Sequence, residues 1–207
     1  MTDVVLAGDG REKCRWPVGD DLYEAYHDDE WGRGWEDDTT LYEKVALEGF
    51  QAGLSWITVL RKRDAFRRHF AGFVPDEVVR FGKREIERMI ADPGIIRHRG
   101  KIESAINNAG RALETIEEFG SLASYFWSFA PTTPPMAPRS FEDIDAVTEA
   151  STALSKDLKR RGWSFVGPTT MHAFMQAAGM VNDHLVGCFA REKCEERRVG
   201  LVARYSV

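Results

Sequence analysis

The sequence predicts an all-α protein, and three observations carry that prediction. No segment sustains the period-two alternation of a half-buried strand. Apolar residues instead recur at helical spacing, at Leu41, Val45, Ala52, Trp56 and Val59 and again at Ile102, Ala105, Ile106, Ala109, Leu113 and Ile116. Capping residues, prolines and glycines stand where such helices would begin and end.

Taken in order, residues 1–12 read as a flexible N-terminal extension, 13–190 as a single domain and 191–207 as a C-terminal tail. Thr40 to Glu43 fits a capping box with Thr40 as N-cap, so a helix should follow. Gly82 to Ala91 and Lys101 to Glu118 read as two further helices, and Ser121 to Phe129 as a short one. Pro131 to Arg139 holds four prolines and reads as a loop. Helix resumes near Thr148 and runs to Arg161, with Gly162 as its stop. Pro168 suits the first turn of a last helix that Gly179 ends.

The chain has 207 residues, 43% hydrophobic and 29% charged, a soluble globular balance for one compact domain or two small lobes sharing a core. No basic segment precedes Val4 to Ala7, and nothing approaches the ~18 apolar residues that span a bilayer. A cytoplasmic protein without a membrane partner is expected. The net charge of -5 hides an uneven distribution. Nine acids lie between Asp20 and Asp38 with only Arg33 against them, while Arg61, Lys62, Arg63, Arg67 and Arg68 form a basic cluster. Arg97, Arg99 and Lys101 form a second, and Lys156, Lys159, Arg160 and Arg161 a third. One face could be basic within an acidic total, or these could be solvated helix faces. Three cysteines, an odd number, argue against a disulfide framework and leave metal binding or idle thiols.

Cys14 and His27 are separated by twelve residues, His184 and Cys188 by three. Two thiolates and two imidazoles make a complete tetrahedral set for zinc. The alternative is two buried cysteines and two ordinary histidines. Four protein ligands leave no open position, so such an ion would be structural and would tie the N-terminal segment to the C-terminal one. Cys194 fits no such scheme.

Glu48 is the most informative residue. Leu41, Val45, Glu48, Ala52, Trp56 and Val59 share one helix face, and five of those six are apolar. A lone carboxylate there faces the interior, where ionisation without a partner is costly. It is either paired with a buried arginine, a helix cap, or part of a site. Trp16, Tyr23, Tyr26, Trp31, Trp35, Tyr42, Phe50 and Trp56 crowd the same region. They suit a core, and some would also suit a pocket for a flat, cationic base. Glu48 and Trp56 are eight residues apart, roughly 12 Å along a continuous helix. Both can line one pocket only if the helix breaks, and Gly53-Leu54-Ser55 is the place, with Ser55 capping the next helix.

Between two helices lies Asp92 to Lys101, a short turn bracketed by Gly94 and Gly100. Its backbone amides around Ile96, at a helix start, suit phosphate, and Arg97, Arg99 and Lys101 add charge. A plain interhelical loop with solvated charges is the alternative.

Together these residues resemble the DNA-3-methyladenine glycosylase I family of bacteria, within the helix-hairpin-helix glycosylase superfamily. The resemblance rests on Cys14-Arg15-Trp16, Tyr23 to Asp28, Glu30-Trp31-Gly32 and Leu47 to Trp56, and further on Ile95 to Lys101, Ala153 to Lys156, Phe165-Val166-Gly167 and Val181 to His184. It covers about residues 13 to 190. It implies a helix-hairpin-helix glycosylase fold of two helical lobes, with the hairpin near 84–118. It implies one structural zinc ion on Cys14, His27, His184 and Cys188. Glu48 becomes the catalytic group that recognises an extruded base, with Trp16, Tyr23, Tyr26 and Trp56 as pocket walls. Gly94, Ile96, Arg97, Arg99, Gly100 and Lys101 become DNA contacts. Leu54, beside the expected break, is the candidate wedge that fills the gap in the stack. The expected partner is double-stranded DNA with alkylated adenine, and the expected enzyme a monomer that hydrolyses the N-glycosidic bond of 3-methyladenine without nicking the strand. Competing readings are a DNA-binding module without catalysis, a glycosylase-lyase and a zinc hydrolase. Trp35 has no role in this scheme.

Overall fold

The computed structural model describes residues 3–205. Helices dominate it, with one departure from the all-α expectation. β1 (Val4–Leu6) and β2 (Glu12–Cys14) form an antiparallel hairpin in which Val4 pairs with Cys14. Strands of three residues are too short to show alternation, which is why the sequence does not announce them. The segment expected to be a loose extension is thus folded and tied down. Asp3 accepts from the Phe141 amide, and the Phe189 amide donates to the Glu12 carbonyl.

α1 (Asp21–Asp29) follows, its first turn capped by the Asp20 carboxylate, which accepts from the Tyr23 amide. α2 (Asp38–Gln51) begins two residues ahead of the expected capping box. Asp37 is the cap, accepting from both the amide and the hydroxyl of Thr40 at 2.7 Å. Thr40 therefore lies inside the helix, and Glu43 instead pairs with Arg67. Residues 41–50 of α2 are all buried, because α10 and α7 pack against it.

The expected break is present. α2 stops at Gln51, Gly53 takes a φ of +82°, and α3 (Trp56–Leu60) starts afresh after Ser55. Ser55 holds the N-cap position, but its hydroxyl meets the Thr58 hydroxyl rather than a backbone amide. Lys101 closes the open end of α2: its ammonium donates to the carbonyls of Phe50 at 2.9 Å and Ala52 at 2.6 Å.

α4 (Arg63–His69) and α5 (Pro75–Val78) lead to α6 (Lys83–Ala91), a turn, and α7 (Arg99–Phe119). α8 (Leu122–Trp127), the proline-rich loop and α9 (Glu149–Arg160) come next, α9 capped by Thr148 as expected. α10 (Pro168–Ala178) ends at Gly179, φ +85°. A Cβ at Gly179 would come within 2.5 Å of the Gly34 nitrogen, because the 32–35 loop crosses here. The amides of Gly32 and Trp35 donate to the last carbonyls of α10, at Ala177 and Ala178.

α10 is not the last helix. α11 (Arg191–Tyr205) occupies the expected tail, and its Arg198, Leu201 and Val202 are buried. Its apolar stripe is too sparse to signal itself. A single apolar core runs from Leu41 to Val202, with a small satellite at Cys14, Leu185, Cys188, Ala190 and Cys194. Three arginines of the first basic cluster are paired, Arg61 with Asp20 and Arg63 with Glu30 of the acid-rich segment, and Arg67 with Glu43 of α2.

Candidate active site and metal centre

α2 carries Glu48 into the interior, where it is 4% exposed and its Oε2 has no hydrogen-bond partner. Neither an arginine nor a helix end engages it, so the structural alternatives for this residue fall away. The carboxylate faces a cavity of about 130 Å³, the space of roughly four water molecules. Trp16, Tyr23, Tyr26 and Trp56 line it, the four walls expected from sequence. Trp56 reaches the cavity because the 52–55 break turns α3 back towards Glu48. Tyr26 and Trp56 stand 5.3 Å apart, and Trp16 meets Tyr23 edge-on at 4.6 Å. Sequence reasoning missed Trp31, Gln51, Ala173 and Gln176, which also line the cavity. Trp31 lies in an irregular loop without periodicity, and α10 comes from more than a hundred residues away.

Burial pushes the Glu48 carboxyl from its ordinary 4.5 up to about 8, opposed by the positive charge of Lys44 one turn earlier. Burial, and then the Glu48 charge, also push the Tyr26 and Tyr23 phenols up, so both are neutral. Lys44 is itself buried, which brings its ammonium down to about 8. It sits in a neighbouring cavity, 5.1 Å from the Trp35 ring and 5.8 Å from that of Tyr26. Trp35 thereby gains a structural role: it covers Lys44, and its indole N–H donates to the Glu30 carbonyl.

Behind the cavity, Cys14, His27, His184 and Cys188 converge. All four are buried, with ligand atoms within 4.8 Å of one another, a group that could hold a metal ion. His27 Nε2 and His184 Nδ1 face inward 3.2 Å apart, and Cys188 Sγ lies 3.5 and 3.6 Å from them. Each ring's outer nitrogen is engaged: His27 Nδ1 with Asp28 at 2.8 Å and His184 Nε2 with the Trp31 carbonyl at 3.2 Å. Asp28 is held by Lys13 and Arg11. The two neighbouring thiols shift each other in opposite directions, Cys14 up and Cys188 down. Cys194 stands apart from this set. The centre also supports the pocket: Trp16 packs edge-on against His27 at 5.2 Å, and Trp31 against His184 at 4.6 Å.

The expected DNA contacts fare unevenly. The turn between α6 and α7 is present, and among the described residues the amides of Ile96, Arg97, Arg99 and Gly100 have no protein acceptor. Arg97 is exposed and unpaired, whereas Arg99 pairs with Glu87 and Glu103. The Gly94 amide is taken by Asp92. Lys101 corrects the expectation: it is 8% exposed, and its ammonium is consumed by α2. Its amide is capped by His98. Leu54 is 41% exposed at the break, between the cavity-lining residues Gln51 and Trp56 in sequence.

A helical fold with an interhelical turn of free amides and a base-sized aromatic cavity holding one buried carboxylate defines the class of DNA-base glycosylases. The family model for methyladenine glycosylase matches residues 16–191, and the chain belongs to that family. It is 47% identical over 178 residues to DNA-3-methyladenine glycosylase 1 of Escherichia coli, covering 86% of this chain and 95% of that one. A crystal structure of a 3-methyladenine DNA glycosylase I superposes with a TM-score of 0.82 at 46% identity, covering 86% of this chain and 99% of the other. A variant of a 3-methyladenine DNA glycosylase I, solved in complex with 3-methyladenine, superposes with a TM-score of 0.82 at 34% identity, covering 86% and 97%.

Proposed function

We propose that this protein excises 3-methyladenine from alkylated double-stranded DNA by hydrolysing its N-glycosidic bond, leaving an abasic site. The observation that carries the proposal is Glu48, a buried carboxylate with a free oxygen facing an aromatic cavity of base size.

A base inside a duplex is inaccessible, so it leaves the stack, and Leu54 fills the gap. An N3-methylated adenine is cationic. The aromatic walls Tyr26 and Trp56 attract it through their π-systems, and an ionised Glu48 binds it more strongly than any neutral base. As the glycosidic bond breaks, its electron pair neutralises the base, water adds to the sugar C1′, and the water's proton goes to solvent. The leaving group is activated by its own charge, so no general acid is required. No lysine lines the cavity, and Lys44 stands behind Tyr26 and Trp56. The enzyme is therefore monofunctional, and borohydride should trap no adduct with abasic DNA.

The donor set fits zinc, and Cys14, His27, His184 and Cys188 would hold one ion per chain. Zn–N bonds of about 2.0–2.1 Å and Zn–S bonds of about 2.3 Å at tetrahedral angles set nitrogens about 3.3 Å apart and nitrogen and sulfur about 3.6 Å apart. The observed 3.2, 3.5 and 3.6 Å among His27, His184 and Cys188 fit that set, and the engaged outer nitrogens are what ligating histidines show. Held by four protein ligands, such an ion would have a structural role. The free amides and Arg97 on the α6–α7 turn hold DNA phosphates, and the enzyme works as a cytoplasmic monomer.

Incubation with methylated duplex DNA, followed by chromatography of released bases, tests the function. Free 3-methyladenine from the wild type and none from Glu48→Ala is expected. No released base from folded, metal-loaded protein would favour a DNA-binding module.

A further inference from the structure

Gln176 lines the same cavity as Glu48 but comes from α10. Its terminal amide meets Asp183 Oδ2 at 2.8 Å. A carboxylate offers no donor, so chemistry decides which end of the amide stands there. The NH2 group faces Asp183, and Oε1 is left over. Among the described residues, no protein donor reaches that oxygen. Asp183 is well placed to orient the amide. Its side chain is 13% exposed, and the loop that carries it continues into His184 of the metal centre. His172 Nε2 lies 3.4 Å from the same carboxylate but without hydrogen-bond alignment, so Gln176 is the group Asp183 engages.

Two side chains of different origin that line the cavity thus have an acceptor to offer, the Glu48 carboxylate and the Gln176 Oε1. Adenine presents a 6-amino group with two hydrogens, whereas guanine presents a carbonyl oxygen at the same position. A pair of acceptors can take the amino hydrogens of the first and repels the oxygen of the second. We propose that Gln176, oriented by Asp183, is a specificity-determining residue that selects methylated adenine over methylated guanine. Asp183 is a positioning residue in this arrangement. The inference rests on the glycosylase function proposed above and adds the group that chooses the base.

The test measures release of 3-methyladenine and 3-methylguanine from the same methylated duplex DNA, with metal content and thermal unfolding checked for each protein. Gln176→Met keeps length and removes both polar ends. It should lower 3-methyladenine release about tenfold, the equivalent of one lost hydrogen bond of about 1.4 kcal/mol, while 3-methylguanine release holds or rises. Asp183→Asn can meet Gln176 with either end of its own amide, so the adenine-to-guanine ratio should fall by about threefold with the cavity shape retained. Should Gln176→Met fail to fold, the ratio in Asp183→Asn decides the matter. A ratio equal to wild type, or both bases falling in parallel, overturns the inference and leaves the function standing. A wild type that releases neither base overturns the function, and this inference with it.

Discussion

Glu48 is the side chain on which the proposed chemistry turns, and its cost to the fold is measurable. Its carboxyl titrates near 8 in the folded protein and near 4.5 when exposed. The native state therefore keeps a proton that the unfolded chain releases, and stability contributed by this group falls as pH rises from about 4.5 to about 8. Glu48→Gln abolishes that loss. At pH 8 the variant should be more stable by on the order of 2 kcal/mol, with little gain at pH 4.5, while excision drops at least 100-fold. Thermal unfolding at both pH values checks the sign, and equal shifts at both would contradict it. With the charged form binding the cation, as proposed, kcat/KM for excision should climb with pH to a plateau above about 8. Lys44 lies one turn away and lowers the Glu48 pKa through its charge. Lys44→Met should move that profile to higher pH, and an unmoved profile would remove Lys44 from the electrostatics of the site.

At the level of single elements, α2 and the α6–α7 turn divide the basic residues between two roles. Lys101 closes the carbonyl end of α2 at the break that brings Trp56 back to Glu48. Lys101→Met should cost about 2 kcal/mol of stability, the scale of a charge-assisted hydrogen bond to a buried acceptor, and leave the salt dependence of DNA binding unchanged. Arg97→Ala should do the reverse, keeping stability within about 0.5 kcal/mol and lowering the salt slope by about 1. Binding titrations at several salt concentrations separate the two. A reduced slope for Lys101→Met would return that residue to the DNA interface. Sequence alone groups both residues in one basic cluster, because charge is visible in a sequence and the carbonyl that consumes it is not.

Across the whole molecule, the Cys14, His27, His184 and Cys188 group joins the hairpin strand β2, helix α1 and the segment before α11. Its histidines are also the surface on which Trp16 and Trp31 rest. Folding and base recognition are therefore linked. Chelation, or Cys188→Ala, should lower the unfolding temperature by more than about 10 °C and weaken 3-methyladenine binding together with it. Calorimetry with and without chelator checks this, and an unchanged transition would show that the four side chains hold together without an ion.

The sequence by itself determined the helical class, most helix boundaries from α6 to α10, the break at Gly53 and the interior position of Glu48. These follow from periodicity, caps and residue chemistry, which are local and act within a few residues. It did not disclose the hairpin, α1 or α11, whose segments are too short or too polar for a periodic signal. Only the tertiary structure decided that Asp20, Glu30 and Glu43 pair with three arginines of the first basic cluster, that Lys101 serves α2, and that Trp31 and Gln176 complete the pocket. Each of these depends on which distant groups meet. A buried charge or polar group takes whatever partner the packing supplies, and spacing along the chain carries no record of that partner.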